Sequence, residues 1–131
     1  MNTNKKLSDL HLFISYSQTE AIRVGLQGEE KDYFKSIVDE VTETVATMPK
    51  TYETDGQGQE AIVYLHYFLN GCDWFITEKD MEAEQMQAFG YADLGQGGGE
   101  LGYICIAEIV NNQIQAELDL HWTPKPLKDC K

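Results

Sequence analysis

The chain has 131 residues, 42% of them hydrophobic, with 22 Asp+Glu against 10 Lys+Arg and a net charge of −12. That length suits one domain spanning 1–131, the apolar content excludes a wholly disordered chain, and the charge argues against sequence-independent binding to nucleic acid or an anionic membrane, which need a basic footprint. No apolar run approaches the ~20 residues of a membrane span, the patch after Met-Asn-Thr-Asn-Lys-Lys is too short and mixed for a secretory core, and Cys72, Cys105 and Cys130 form neither a disulfide framework nor a C-x-x-C site, so a cytoplasmic protein is expected.

Near the start, Leu10, Leu12, Ile14 and Tyr16 alternate and predict a strand over 10–16, although Leu7, Leu10, Phe13 and Ile14 equally suit a helix. Ser17-Gln-Thr-Glu20 has the form of a capping box and predicts a short helix over about 18–27, ending near Gly28. The clearest helix is 29–48. Phe34, Ile37, Val38, Val41, Val45 and Met48 form one apolar stripe, Glu29, Glu30 and Asp32 suit the dipole of the first turn, and Pro49 marks the stop. The stripe should face a sheet, which turns Asp39, Glu40 and Glu43 mainly outward.

After Pro49 the pattern changes to strands. Asp55-Gly-Gln-Gly58 is turn chemistry, 61–69 is rich in β-branched and aromatic residues, and Asn70-Gly71 is a two-residue hairpin turn leading into 73–77. Further strands are expected over 87–93, 101–106 and 117–122, with a short helical turn near 107–110 and an end at Pro124 and Pro126. The fold class is therefore α+β, an N-terminal amphipathic helix packed on an antiparallel β-meander of about four to five strands.

Five pieces of the second half carry a resemblance: Trp74-Phe-Ile-Thr-Glu78, Phe89-Gly-Tyr91, Glu100-Leu-Gly-Tyr103, Glu108-Ile109 and Asp119-Leu-His-Trp-Thr-Pro124. In order and spacing they resemble a small family of unknown function carried on bacterial plasmids, conjugative elements and phages, sometimes fused to DNA-modifying proteins. Met48-Pro-Lys-Thr-Tyr-Glu-Thr54 is similar to that family's opening segment, so the match runs from about 48 to 128, with 1–47 outside it. The resemblance implies a compact domain and a mobile-element setting, and no reaction. Leu118 stands where the family tends to have an arginine, which puts any role for an Arg–acid pair in doubt.

Among residues that could carry chemistry, Gly95-Gln-Gly-Gly-Gly99 leads into Glu100 instead of the Lys-Ser/Thr of a phosphate loop, and reads as a hairpin or lid loop. Asp119-x-His121 would share one strand face, as two metal ligands need, but spacing offers no third, so a polar strand face is the expectation. His66 is expected as a hydrogen-bonded histidine on a sheet face. Glu78 and Glu100 are the carboxylates best suited to acid–base work, with the holding of turn N–H groups as the structural alternative. Trp74, Tyr91, Tyr103 and Trp122 would form either core or an exposed binding platform.

Acidity is concentrated. Residues 29–60 hold nine acids against three lysines, and 78–100 hold six against Lys79. The expectation is a non-enzymatic acidic binding protein of a mobile element or phage, of the anti-restriction or anti-CRISPR kind, whose partner is a host or plasmid protein with a basic surface. Its binding residues would be Asp39, Glu40, Glu43, Trp74, Glu78, Glu100 and Tyr103. No cofactor, metal, membrane or direct nucleic-acid contact is expected, and no catalytic residue. The alternatives are a small enzyme or ligand-binding domain using a Glu78/Glu100/His121 pocket, or an accessory module docking on a plasmid-encoded protein through the first 47 residues.

Overall fold

The opening residues fold as helices, as a computed structural model covering residues 2–82 and 84–130 shows. α1 (Thr3–Asp9) starts at Asn2, whose side chain accepts the N–H groups of Asn4 and Lys5. The expected strand over 10–16 is absent. Leu7, Leu10, Phe13 and Ile14 are all buried, whereas Tyr16, which alternation would place beside Ile14, is 66% exposed. Three- and four-residue spacing therefore wins over period two. Ser15, not Ser17, caps α2 (Tyr16–Gly25) by accepting the Gln18 N–H, so this helix begins two residues earlier than the capping-box pattern predicts.

The acidic amphipathic helix forms as expected, as α3 (Lys31–Thr47). Ile37, Val38 and Val41 are buried in one cluster with Leu65, Tyr67, Ile76, Ala88, Ile104 and Leu118 from the sheet, and Phe34 and Val45 pack against it. Lys6 of α1 holds Asp39 of α3 at 2.9 Å.

The expected strand over 61–69 divides at Tyr64 into β1 (Ile62–Val63) and β2 (Leu65–Leu69). Asn70 (φ 48°) and Gly71 (φ 84°) both take the positive φ that their turn demands, and β3 (Cys72–Glu78) returns beside β2 with Leu69 opposite Cys72. β4 (Ala88–Asp93) and β5 (Gly99–Ile104) extend the meander. A short helix, α4 (Ile106–Ile109), leads to β6 (Glu117–Leu118). The sheet is antiparallel with order β5-β4-β3-β2-β6. Between Ile76 and Glu78 the register of β3 on β4 shifts, and there Gly90 is obligatory: a Cβ on it would stand 2.0 Å from the Phe75 carbonyl oxygen.

The last strand is shorter than the expected 117–122. It stops because Asp119 folds the chain back, its Oδ1 accepting the His121 N–H at 3.0 Å, while the Trp122 indole N–H donates to the Val63 carbonyl at 2.9 Å. The chain then pairs β7 (Lys125–Pro126) with β1. Alternation along β3 sends Ile76 to the helical layer and Phe75 to the other face, where Phe75, Val63 and Leu127 form a second, smaller core. Among the described residues no helix is long and apolar enough to cross a membrane.

Candidate functional site

On the face opposite the helices, the register places Glu78, Phe89 and Tyr103 side by side across β3, β4 and β5. Glu78 is 3% exposed, and a buried carboxylate is costly unless hydrogen bonds satisfy it. Its Oε1 accepts the Tyr52 N–H at 2.8 Å, and its Oε2 accepts the Thr54 N–H at 2.8 Å together with the Thr54 hydroxyl. The carboxylate thus pins the 52–54 turn to the sheet. Tyr52 is held there at φ 79°, a left-handed backbone that a bulky residue adopts only under constraint. Its hydroxyl meets that of Tyr103 at 2.7 Å.

These residues, with Thr54, Asp55, Gly56 and Leu101, line a cavity of about 340 Å³. Among the described residues, neither lysine, arginine nor histidine lines it. The hydrogen bond from Tyr52 pushes the Tyr103 hydroxyl pKa up, with the charges of Asp55 and Glu78 adding to it. Tyr52 and Tyr103 pack edge to face with centroids 6.4 Å apart, and so do Phe89 and Tyr103 at 5.9 Å. Tyr52, Glu78, Phe89 and Tyr103 thus bring together four segments that are distant in sequence.

A second concavity, a groove of about 460 Å³, runs between α3 and the end of the sheet. Asp39, Glu40, Glu43 and Thr44 form its helical wall, and Asp119 and Trp122 belong to the opposite one with Tyr64 and Leu118. Of its four carboxylates, Asp39 is paired: the Lys6 ammonium, hydrogen-bonded to it, holds its pKa below the usual carboxylate range. Glu40 and Glu43 are exposed. The Lys125 ammonium stands 4.8 Å over the Trp122 ring.

Asp119 also links the groove to the aromatic face of the sheet. His66 is held there with Nε2 at 2.7 Å from Asp73 Oδ1 and Nδ1 at 3.4 Å from Asp119 Oδ2. Its ring stacks on Phe75 at 4.8 Å and lies 5.0 Å from Trp122. This is the hydrogen-bonded sheet histidine that the sequence suggests, with two carboxylates that the sequence alone does not pair with it.

The other expected residues separate. Glu100 is exposed opposite Ala92, three positions from Tyr103 and hence on the other face of β5. His121 turns to α3, its Nε2 2.9 Å from the Tyr33 hydroxyl, so Asp119-x-His121 does not present two ligands on a strand. Neither Glu100 nor His121 is among the residues that line the Glu78 cavity. Trp74 packs against the main core, while Tyr91 and Trp122 pack against the smaller one. Of the four aromatics only Tyr103, at 55%, is broadly exposed, so they do not form one platform. Sequence alone does not single out Tyr52 and Asp55 as site residues, because the turn that carries them meets Glu78 only in the folded chain. A tyrosine amid turn residues was the available signal.

The family model described as "Protein of unknown function (DUF2958)" matches residues 37–125. The matched stretch includes all five strands of the sheet, and the chain belongs to that family. No curated protein and no solved structure matches the chain.

Proposed function

We propose that this member of the family is a non-enzymatic binding domain that receives a basic segment of a partner protein in the groove between α3 and residues 118–124. The observation that carries this reading is the composition of the groove: four carboxylates on its walls, the apolar side chains of Leu65 and Leu118 in its lining, and the exposed pair Glu40 and Glu43 with no ion-pair partner among the described residues. Opposite potentials steer a basic partner to such a surface, and the Tyr64 ring in the lining gives the stems of lysine and arginine something to lie against. The commitment of Glu78 to three hydrogen bonds from Tyr52 and Thr54, and the separation of Glu100 and His121 from it, take support from the enzymatic alternative.

The partner class we favour is a host protein whose basic surface otherwise holds nucleic acid, with this domain as an inhibitor carried by a mobile element or phage. A compact acidic surface competes with phosphate for the same lysines and arginines. The test is titration of a labelled peptide of alternating arginine and glycine into the wild-type protein and into Glu40→Lys/Glu43→Lys. Binding should weaken with salt, and the double variant should lose at least tenfold in affinity. A control that reverses Glu108 and Glu117, outside the groove, should lose much less. Equal losses in the two variants would remove the groove from the reading.

A further inference from the structure

The aromatic cavity beneath Tyr52 shares no lining residue with the groove, and its chemistry points to a second ligand. We propose that it is a binding site for a compact organic cation, an ammonium or guanidinium group held by the rings of Tyr52, Phe89 and Tyr103 beside the Asp55 carboxylate.

Four observations converge on that class. The cavity measures about 340 Å³, the lower end of the range for small-molecule sites. Three aromatic rings contribute to it, packed edge to face at 80° and 85°, and edge-on packing covers fewer ring faces than stacking does. Such faces carry the negative end of the ring quadrupole and attract a desolvated cation. Asp55 and Glu78 supply negative charge, with no basic residue in the lining among the described residues, which repels an anion. Glu78 is buried and accepts three hydrogen bonds from Tyr52 and Thr54, so it contributes field more than a direct contact, and Asp55 is the exposed carboxylate placed to meet the ligand.

The backbone adds a reason to regard the cavity as built. Tyr52 at φ 79° is strained, and strain persists where the surroundings over-determine it. Here the Glu78 carboxylate fixes the backbone on one side and the Tyr103 hydroxyl fixes the ring on the other. The result is a preorganised aromatic corner, which lowers the ordering cost of binding.

The cation could be free or the end of a side chain, and two matched probe pairs separate these sources. Choline is compared with 3,3-dimethylbutanol, its uncharged isostere, and N-acetylarginine amide with N-acetylcitrulline amide. Each is titrated into the full chain by NMR, with the ring resonances of Tyr52, Phe89 and Tyr103 as the readout. At least one cation should bind tenfold or more tightly than its neutral partner, and Tyr103→Leu should abolish that binding. Asp55→Asn, a change at an exposed position, should weaken it severalfold with the ring resonances otherwise unmoved. Choline alone binding identifies a free quaternary amine; arginine alone identifies a side chain. Equal binding of cation and isostere would mean a merely apolar cavity, and no binding of any probe, or shifts away from these rings, would likewise overturn the proposal. The groove variant Glu40→Lys/Glu43→Lys should retain this binding, so failure of either site is distinguishable from failure of the other.

Discussion

The carboxylate of Glu78 holds the backbone of Tyr52, accepting its N–H at 2.8 Å, while two residues further on the same carboxylate collects both donors of Thr54. One buried side chain on β3 therefore decides where an aromatic ring 26 residues earlier comes to rest.

Replacing Glu78 by Gln keeps the shape and removes the charge. At least one amide N–H would then face the donors of Tyr52 or Thr54, which leaves buried groups unsatisfied. A loss of about 2–3 kcal/mol is expected in urea unfolding, with the 52–54 amides exchanging faster with solvent. Unchanged exchange at those amides would show that the turn does not depend on the clamp.

Asp80 gives a pH dependence with a definite sign. Burial works to raise its pKa, but the N–H groups of Glu82, Gln87 and Met86 donate to the carboxylate and outweigh it, so the carboxyl sits below its ordinary value. A group with a depressed folded pKa contributes stability above its unfolded pKa and loses it as pH falls through the folded value. Asp80→Asn should therefore cost about 1–3 kcal/mol at pH 7, and its difference from wild type should shrink from about pH 4 downward. Denaturant melts at pH 7, 4 and 2.5 check this; a gap that widens in acid would contradict the assignment.

Val41 tests the packing of α3. It is buried in the cluster shared by helix and sheet, so Val41→Asp would bury an uncompensated charge and should destabilise by more than about 3 kcal/mol. Thermal unfolding checks it. A variant with the parental midpoint would detach the helix from the sheet.

How far the sequence reaches can be judged element by element. The stripe of Ile37, Val38 and Val41 and the Asn70-Gly71 turn were legible because their determinants lie within a few residues: helical period, terminal charge and the left-handed preference of two turn residues. The 10–16 segment departs from its period-two pattern for the converse reason. Its apolar residues fit two periods, and only the burial of Leu7, Leu10, Phe13 and Ile14 together, with Tyr16 left outside, selects the helical one. The early end of β6 follows from the Asp119 turn and from the bond between Trp122 and Val63, 59 residues apart.

The sites follow the same division. Sequence by itself determined that the protein is acidic, α+β, and carries Asp39, Glu40 and Glu43 on one helix away from its apolar stripe, since charge and periodicity are properties of neighbouring residues. Tertiary structure alone decided that those acids wall a groove with Asp119 and Trp122, that His66 stands between Asp73 and Asp119, and that Glu78 is a clamp and not a free carboxylate. It also decided that Tyr52, Phe89 and Tyr103 share a cavity while Glu100 does not. Each of those relations is set by strand register and by turns folding back on the sheet, and a change of one residue in register would move every side chain of a strand to the opposite face.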